Sequence, residues 1–506
     1  MLVFCSKNVC RTDVSGPRLP NIFFINLMKP LSHLLFALFY SITLTGFATA
    51  QDRPNFVFFI TDDISAEDLG AYGSTVAKTP NLDRIASEGL VFDNAYLTTS
   101  SCSPSRCSIV TGRYPHNTGA PELHITLPDD QVTFIQKLTT AGYYTVISGK
   151  NHMNRPDKLG FVKEGSGGRP SGSLDWVQLL KDRPKDKPFF AWFGSNDAHR
   201  DWQLNEFSPP YDPDDIVVPP YLIDGPKTRQ DLAEYFSEVS RTDYYTGKLI
   251  EELKRQGIED NTYFVYLSDN GRPFPRCKTR LYDSGIKTPL IIWSPGNIKP
   301  ARSKSLVSVL DFAPTFLELA GVKDQGPTFQ GVSFVSLLSN PKGKIRDYVF
   351  AEHNWHVYAN HERMVRYGDW LYIHNAFNHK ANLCSESDGS KFGAAIELWE
   401  YYRAGKTMPW QEDIPMEPRP QMELYHVVSD PHQLTNLAGK REFLEIQNKL
   451  AGVLRQWADE TGDTVPDNPS PDRGPVRPRG GDVRGELPGE ATGAHKINRP
   501  GPILEG

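Results

Sequence analysis

The sequence predicts an α/β fold, an open doubly wound sheet followed by a smaller α+β unit, and three observations carry that prediction. Short, continuously apolar runs recur along residues 51–345, each ending in a polar cluster and followed by helical periodicity. Between about 346 and 464 the pattern becomes less regular and strand-rich. After Val465 the apolar residues thin out, and Pro and Gly make up 16 of the last 41 residues.

Asn55-Phe56-Val57-Phe58-Phe59-Ile60-Thr61 shows no alternation, as expected of a parallel strand covered on both faces, and it ends in Asp62-Asp63. Thr79-Pro80 opens a helix through Leu82 and Ile85 that stops at Gly89. A strand from Val91 to Tyr96 then leads into Ser101-Cys102-Ser103-Pro104-Ser105-Arg106. Ser103 as N-cap and Pro104 as first helical residue put Cys102 at a helix mouth, where anions collect. A helix from Val132 to Thr140 precedes a strand from Tyr144 to Ser148, which delivers Gly149-Lys150-Asn151-His152. Residues 163–187, rich in Gly, Pro and Lys, read as a loop.

Phe189 to Gly194 forms another buried strand and delivers Asn196-Asp197-Ala198-His199-Arg200. Apolar residues keep helical spacing from Asp231 to Gln256. Tyr263 to Leu267 is a strand ending in Asp269-Asn270-Gly271, Pro289 to Trp293 is another, and Asp311 opens a helix to Gly321. The second unit, 346–464, reads as a small antiparallel sheet with a final helix from Arg441 to Glu460. Residues 465–506 have too few apolar groups to fold and read as a disordered tail. Polar clusters at the carboxyl ends of the strands place a site along one edge of the sheet.

A chain of 506 residues with 39% hydrophobic content can bury a large core in two packed units. Lys+Arg 55 against Asp+Glu 61 gives a net charge of −6, so nothing in the overall balance draws the chain to nucleic acid, and any anion site is local. Residues 28–50 have the charged start, apolar run and Ala48-Thr49-Ala50 ending of a secretory signal, too short for a stable membrane span. The expected destination is secreted or periplasmic, and residues 1–27 read as an over-extended start or an N-terminal extension. Of Cys102, Cys107, Cys277 and Cys384, the last three leave a disulfide open without choosing a pair. Asp62, Asp63, Asp269 and Asn270 are hard oxygen donors at the ends of two candidate neighbouring strands and together suit one Ca2+.

Cys102, Pro104, Arg106, Thr111 and Gly112 fall at the spacing of a known signature, and the chain resembles the type I sulfatases, the formylglycine-dependent family of the alkaline phosphatase superfamily. The resemblance implies an alkaline-phosphatase-like doubly wound mixed sheet. It also implies that a formylglycine-generating enzyme oxidises Cys102 to formylglycine, and that the calcium held by the four oxygen-donor residues also contacts position 102. Lys150 and His152 match the family's Gly-Lys-x-His element, and His199 and Lys278 match its remaining basic positions. Taken singly, the lysines read as solvated charges and the histidines as hydrogen-bonded structural groups. Together with Arg106, a forked donor suited to sulfate, they form a cationic cup. In the implied mechanism a hydroxyl of the hydrated aldehyde attacks sulfur, His199 helped by Lys278 protonates the leaving atom, and His152 takes the proton of the second hydroxyl as sulfate departs.

Within that family, Ser268-Asp269-Asn270-Gly271 with Pro273-Phe274-Pro275, Asp197-Ala198-His199-Arg200, and Glu423-Leu424-Tyr425 with Asp430-Pro431-His432 are most similar to the N-sulfoglucosamine sulfohydrolases. This implies a heparan-type glycan as the sulfated saccharide partner. Lys278 where Arg is expected, and the loop Glu352-His353-Asn354-Trp355-His356, depart from that pattern and leave an O-sulfate on another polysaccharide open. His353, His356 and Arg363 are candidates for sugar contacts, with ordinary loop roles as the alternative. The competing readings are a phosphodiesterase or phosphonate hydrolase of the same superfamily, and an inactive carbohydrate-binding homologue. Asn270, where two-metal members carry further histidine ligands, favours a single metal.

Overall fold

The structure, a computed structural model, describes residues 53–323, 329–472, 489 and 491–505. The expected signal segment and the residues before it lie outside these. Eight strands form the large sheet: β1 (Asn55–Thr61), β2 (Leu90–Tyr96), β3 (Tyr144–Gly149), β4 (Lys163–Glu164), β5 (Phe189–Gly194), β6 (Thr262–Ser268), β7 (Leu290–Trp293) and β8 (Ala301–Ser308), in the spatial order β4-β3-β5-β1-β6-β7-β2-β8. All pairings are parallel except those of β7, which runs antiparallel to both β6 and β2, so the sheet is mixed.

The unbroken apolar run of β1 is explained by two faces that are both buried. Phe56, Phe58 and Ile60 face one layer, with helices α2 (Cys102–Thr111), α3 (Phe134–Thr140) and α6 (Phe312–Leu319). Val57 and Phe59 face the other, with α1 (Pro80–Glu88), α4 (Trp176–Asp182) and the long α5 (Pro226–Gln256). The doubly wound α/β fold is therefore present. Within residues 163–187, taken as loop from composition, β4 and α4 form, because Trp176 and Leu180 are fully buried against Phe59 and Phe193.

The second sheet, in the order β12-β11-β10-β9, is antiparallel and contains β9 (Tyr348–His353), β10 (Glu362–Tyr367), β11 (Trp370–Asn375) and β12 (Met422–His426). One of its faces joins the main core through Val349, Ala351, Met364 and Leu371. The other is covered by α8 (Leu444–Thr461) through Leu450, Leu454 and Trp457, while α7 (Gly393–Arg403) contacts α5. Residues 50–506 form one compact unit.

The expectation of a disordered tail is corrected for its described part. Arg113 donates to the carbonyls of His495 and Ile497 at 2.9 and 2.7 Å, Asn117 to that of Ala494 at 2.8 Å and Gln330 to that of Arg499 at 2.8 Å. Polar side chains of the body take up the tail's backbone carbonyls, so the tail needs few apolar residues of its own. The four described cysteines are free and buried, so none of the disulfides left open by the sequence forms here.

Beside α6, Arg346 and Asp311 pair with both side chains fully buried, and Asp311 also accepts from the Ser308 and Val332 amides at 2.8 and 2.7 Å. Removing one partner strands the other charge. Arg346→Met is expected to cost about 3–5 kcal/mol, read as a lower urea midpoint at unchanged slope.

Candidate active site

Strand register assembles the site. In the β1/β6 pairing Thr61 lies opposite Ser268, which sets Asp62-Asp63 beside Asp269-Asn270 one step beyond. The turns after β3 and β5 arrive at the same edge, carrying Lys150-Asn151-His152 and Asp197-Ala198-His199, and Asp62 exchanges backbone hydrogen bonds with the second turn. Gly149 is required there: its φ is +84°, and a Cβ on it would lie 2.0 Å from the Gly194 carbonyl oxygen.

Cys102 is the first residue of α2, with Ser101 as N-cap, two residues earlier than the Ser103 cap expected from sequence. Ser103 accepts instead from the His124 amide at 2.8 Å, a contact that competes with capping. The Cys102 Sγ lies 3.5 Å from Asp62 Oδ1 and 4.0 Å from Asp63 Oδ1. Asp62, Asp63, Cys102 and Asp269 present ligand atoms within 4.8 Å of one another, all buried.

Each carboxylate has its own cation. Lys150 pairs with Asp62, Lys278 with Asp63 at 2.7 Å, and Arg106 Nε with Asp269 at 2.6 Å. Burial would raise the Asp62 carboxyl, but Lys150, His199 and Lys278 hold it well below its ordinary range. Burial drives Asp63 well above that range despite Lys278, with Asp62 and Asp269 adding repulsion, and Asp269 is raised by burial and by Asp62. The Cys102 thiol is pushed up by burial and by Asp62.

Three buried carboxylates that repel one another, beside an Asn270 whose Oδ1 is buried without a partner, form an all-oxygen donor set that fits one hard divalent cation. Burial of that kind is costly without such compensation.

Arg106 differs from its expected role. Its guanidinium is fully buried and is spent on Asp269, on the Lys150 carbonyl at 2.8 Å and on the Thr61 carbonyl at 3.4 Å. It therefore positions the Asp269 carboxylate.

His199, exposed at the cleft, holds its Nδ1 against the Arg200 carbonyl, which leaves Nε2 as the atom able to carry or release a proton. Lys278 and partial desolvation lower its pKa to about 4. His152 pairs through Nε2 with His124 Nδ1 at 2.7 Å, and burial and Lys150 lower its pKa to about 2.

Of the candidate sugar contacts, His356 is brought to the site, where its Nδ1 meets Ser101 Oγ at 2.7 Å. His353 faces Glu362 at 3.4 Å inside the small sheet, and Arg363 forks onto Asp463 at 2.6 and 2.7 Å. Both face carboxylates within the second unit, Arg363 through both arms of its fork, while His353 Nε2 is buried without a partner. Sequence reasoning missed His124 and also Glu386, whose Oε1 lies 4.0 Å from Lys278 and whose Oε2 is buried without a partner. Neither sits in a motif, and only the chain's path reveals them.

The fold and site define an α/β scaffold that sets a buried cysteine at a helix head beside a cluster of oxygen donors. The family described as Sulfatase matches residues 54–167 and 173–322, and the chain belongs to that family. Its members are sulfuric ester hydrolases and sulfamidases, and this chain is an enzyme of that kind. Residues 277–381 also match the family described as N-sulphoglucosamine sulphohydrolase, C-terminal.

The chain is 29% identical over 474 residues to human N-sulphoglucosamine sulphohydrolase, covering 83% of this chain and 92% of the relative. It is 28% identical over 472 residues to an ulvan-active sulfatase of Formosa agariphila, covering 81% and 76%. A solved structure in complex with D-glucosamine-2-N,6-O-disulfate superposes with a TM-score of 0.62 at 23% identity, over 80% of this chain and 98% of that one. This last likeness shows the fold. Among the described residues no helix is long and apolar enough to cross a membrane.

Arg106→Lys keeps a charge but loses the fork that spans Asp269 and two carbonyls. It is expected to lower turnover of a sulfated substrate by about 10–100-fold with little change in secondary structure, checked by sulfate release beside circular dichroism.

Proposed function

We propose that the protein removes sulfate from a saccharide, with Cys102 matured to formylglycine by a formylglycine-generating enzyme and one Ca2+ held by Asp62, Asp63, Asp269 and Asn270. The substrate that fits best is an N-sulfated glucosamine unit of a heparan-type glycan, and an O-sulfate on another polysaccharide is the nearest alternative. Residues 28–50 direct the chain to the outside of the cell or the periplasm. The observation that carries this reading is the placement of Cys102 Sγ, at a helix head, 3.5 and 4.0 Å from two carboxylates of a buried three-carboxylate cluster that Asn270 adjoins through its bond to Asp63.

When present, the hydrated aldehyde supplies a nucleophile, and the calcium ion supplies Lewis-acid polarisation of sulfate oxygens. The chain's own side chains do the rest. Lys150 and Lys278, paired with Asp62 and Asp63, bring positive charge to the anion. His199, fixed by the Arg200 carbonyl, presents Nε2 to the leaving oxygen or nitrogen and gives it a proton. His152, steadied by His124, accepts a proton as sulfate leaves.

Release of inorganic sulfate from a panel containing N-sulfoglucosamine, 6-O-sulfated and ulvan-type saccharides tests the substrate class. N-sulfoglucosamine is expected to be turned over fastest, and exclusive turnover of an O-sulfate replaces sulfamidase with esterase. In the same preparation the peptide spanning Cys102 is expected at the aldehyde mass by mass spectrometry. Calcium titrated calorimetrically into chelator-treated protein is expected to bind at one site, with Asp63→Asn and Asn270→Ala each weakening it at least about tenfold.

A further inference from the structure

Beside the catalytic cleft lies a second one of 520 Å³, within the size range of ligand pockets. The two share Arg200 and Asp201 in their linings, so they adjoin at the segment that follows His199. Its walls are rigid for a definite reason. The Arg200 guanidinium forks onto Asp231 at 2.6 and 2.8 Å and lies 4.6 Å from the ring centres of both Trp202 and Phe392. Asp231 also accepts from Trp202 Nε1 at 2.9 Å and from the Ala394 amide at 3.0 Å, which ties the head of α7 to α5. One buried ion pair thus clamps two half-buried aromatic rings in place, and nothing in the catalytic machinery uses them.

The chemistry of the lining identifies the ligand. Arg200, Lys227 and Lys391 are balanced by Asp201, Asp231 and Glu234, so the cleft has no excess charge with which to select a polyanion. Its exposed polar groups are Gln230, Lys227, Asp201 and Lys391, both donors and acceptors. Lys227 is held by an exposed ion pair to Glu400, and Lys391 by one to Asp201 and by its ammonium, 4.8 Å from the Phe392 ring centre, contacts that are weak and easily exchanged. Aromatic walls with mixed donors and acceptors above them suit a hydroxyl-bearing pyranose ring, whose C–H face stacks while its hydroxyls bond. Fixed walls lose little entropy on binding.

We propose that this cleft holds the saccharide unit next to the one carrying the scissile sulfate, so that the enzyme reads at least two sugars of its glycan. The inference rests on the saccharide reading of the active site.

The test compares glucosamine N-sulfate with a heparan tetrasaccharide bearing the same unit at its non-reducing end. The tetrasaccharide is expected to have at least a tenfold higher kcat/KM, and Phe392→Ala is expected to cut that advantage about tenfold. The double variant Gln230→Ala/Lys391→Ala, changed only at exposed residues, carries the same decision should Phe392→Ala fail to fold. Calorimetric titration of the tetrasaccharide into Cys102→Ala protein, with and without the cleft changes, reads binding without turnover and is expected to show a tenfold weaker Kd. If no saccharide is desulfated, the proposed function fails while the titration still decides the cleft. Equal kcat/KM for the two substrates, or an advantage and a Kd untouched by both sets of substitutions, overturns the proposal.

Discussion

The structure depends on one electrostatic constraint, three carboxylates brought together in a dry pocket at the end of a parallel sheet. Isolated, each would be too costly to bury as a charge. Each is therefore opposed by a cation from a different part of the chain: Arg106 from the active helix, Lys150 from the turn after β3 and Lys278 from the loop after β6. Three positive groups against three negative ones leave the pocket close to neutral. Under the proposed function, a divalent ion at the oxygen cluster would leave it net positive, the condition an anionic substrate requires.

The sheet supplies the precision that this charge lattice needs. Asp62-Asp63 and Asp269-Asn270 stand side by side because β1 and β6 are parallel neighbours held in register along their full length. Around them the backbone takes left-handed conformations at residues other than glycine: Asp63 at φ 61°, His152 at 62°, His124 at 68° and Thr279 at 69°. Side chains of that size adopt such conformations at a cost, and the packed strands on both faces hold them there. The rigidity of the doubly covered core is thus what fixes the aim of the site's side chains.

Much of this was legible in the sequence, and the limits have physical causes. The strand ends and the polar groups on them were readable because continuous apolar runs mark doubly buried strands and everything after them must point to one edge. The placing of Asp62-Asp63 beside Asp269-Asn270 at adjacent strand ends followed from that. Arg106 was misjudged because its type and helical position say nothing about which acceptors surround it, and the fold places Asp269 and two carbonyls at its fork. His124 and Glu386 were invisible because their neighbours in space, His152 and Lys278, are 28 and 108 positions away in sequence. The C-terminal segment was misread because composition measures apolar burial, whereas this segment is held through its backbone carbonyls.

Selectivity has a different origin from chemistry in this molecule. The groups proposed to meet the anion come from strand ends and the turns and loop that follow them, all fixed by the core, so they are poorly placed to tell one sulfated sugar from another. Lys278, where the most similar sulfohydrolases lead one to expect Arg, strengthens the point: it is a compact point charge already engaged by Asp63 at 2.7 Å, and it cannot impose the planar geometry of a fork. Under the proposed function discrimination falls to the surroundings of these groups, among them the second unit's loops, which bring His356 to Ser101 and Glu386 to within 4.0 Å of Lys278. Those loops are anchored on the small sheet and on α7, outside the register that sets the catalytic residues. They can change to suit a new glycan while the carboxylates and their cations stay where they are.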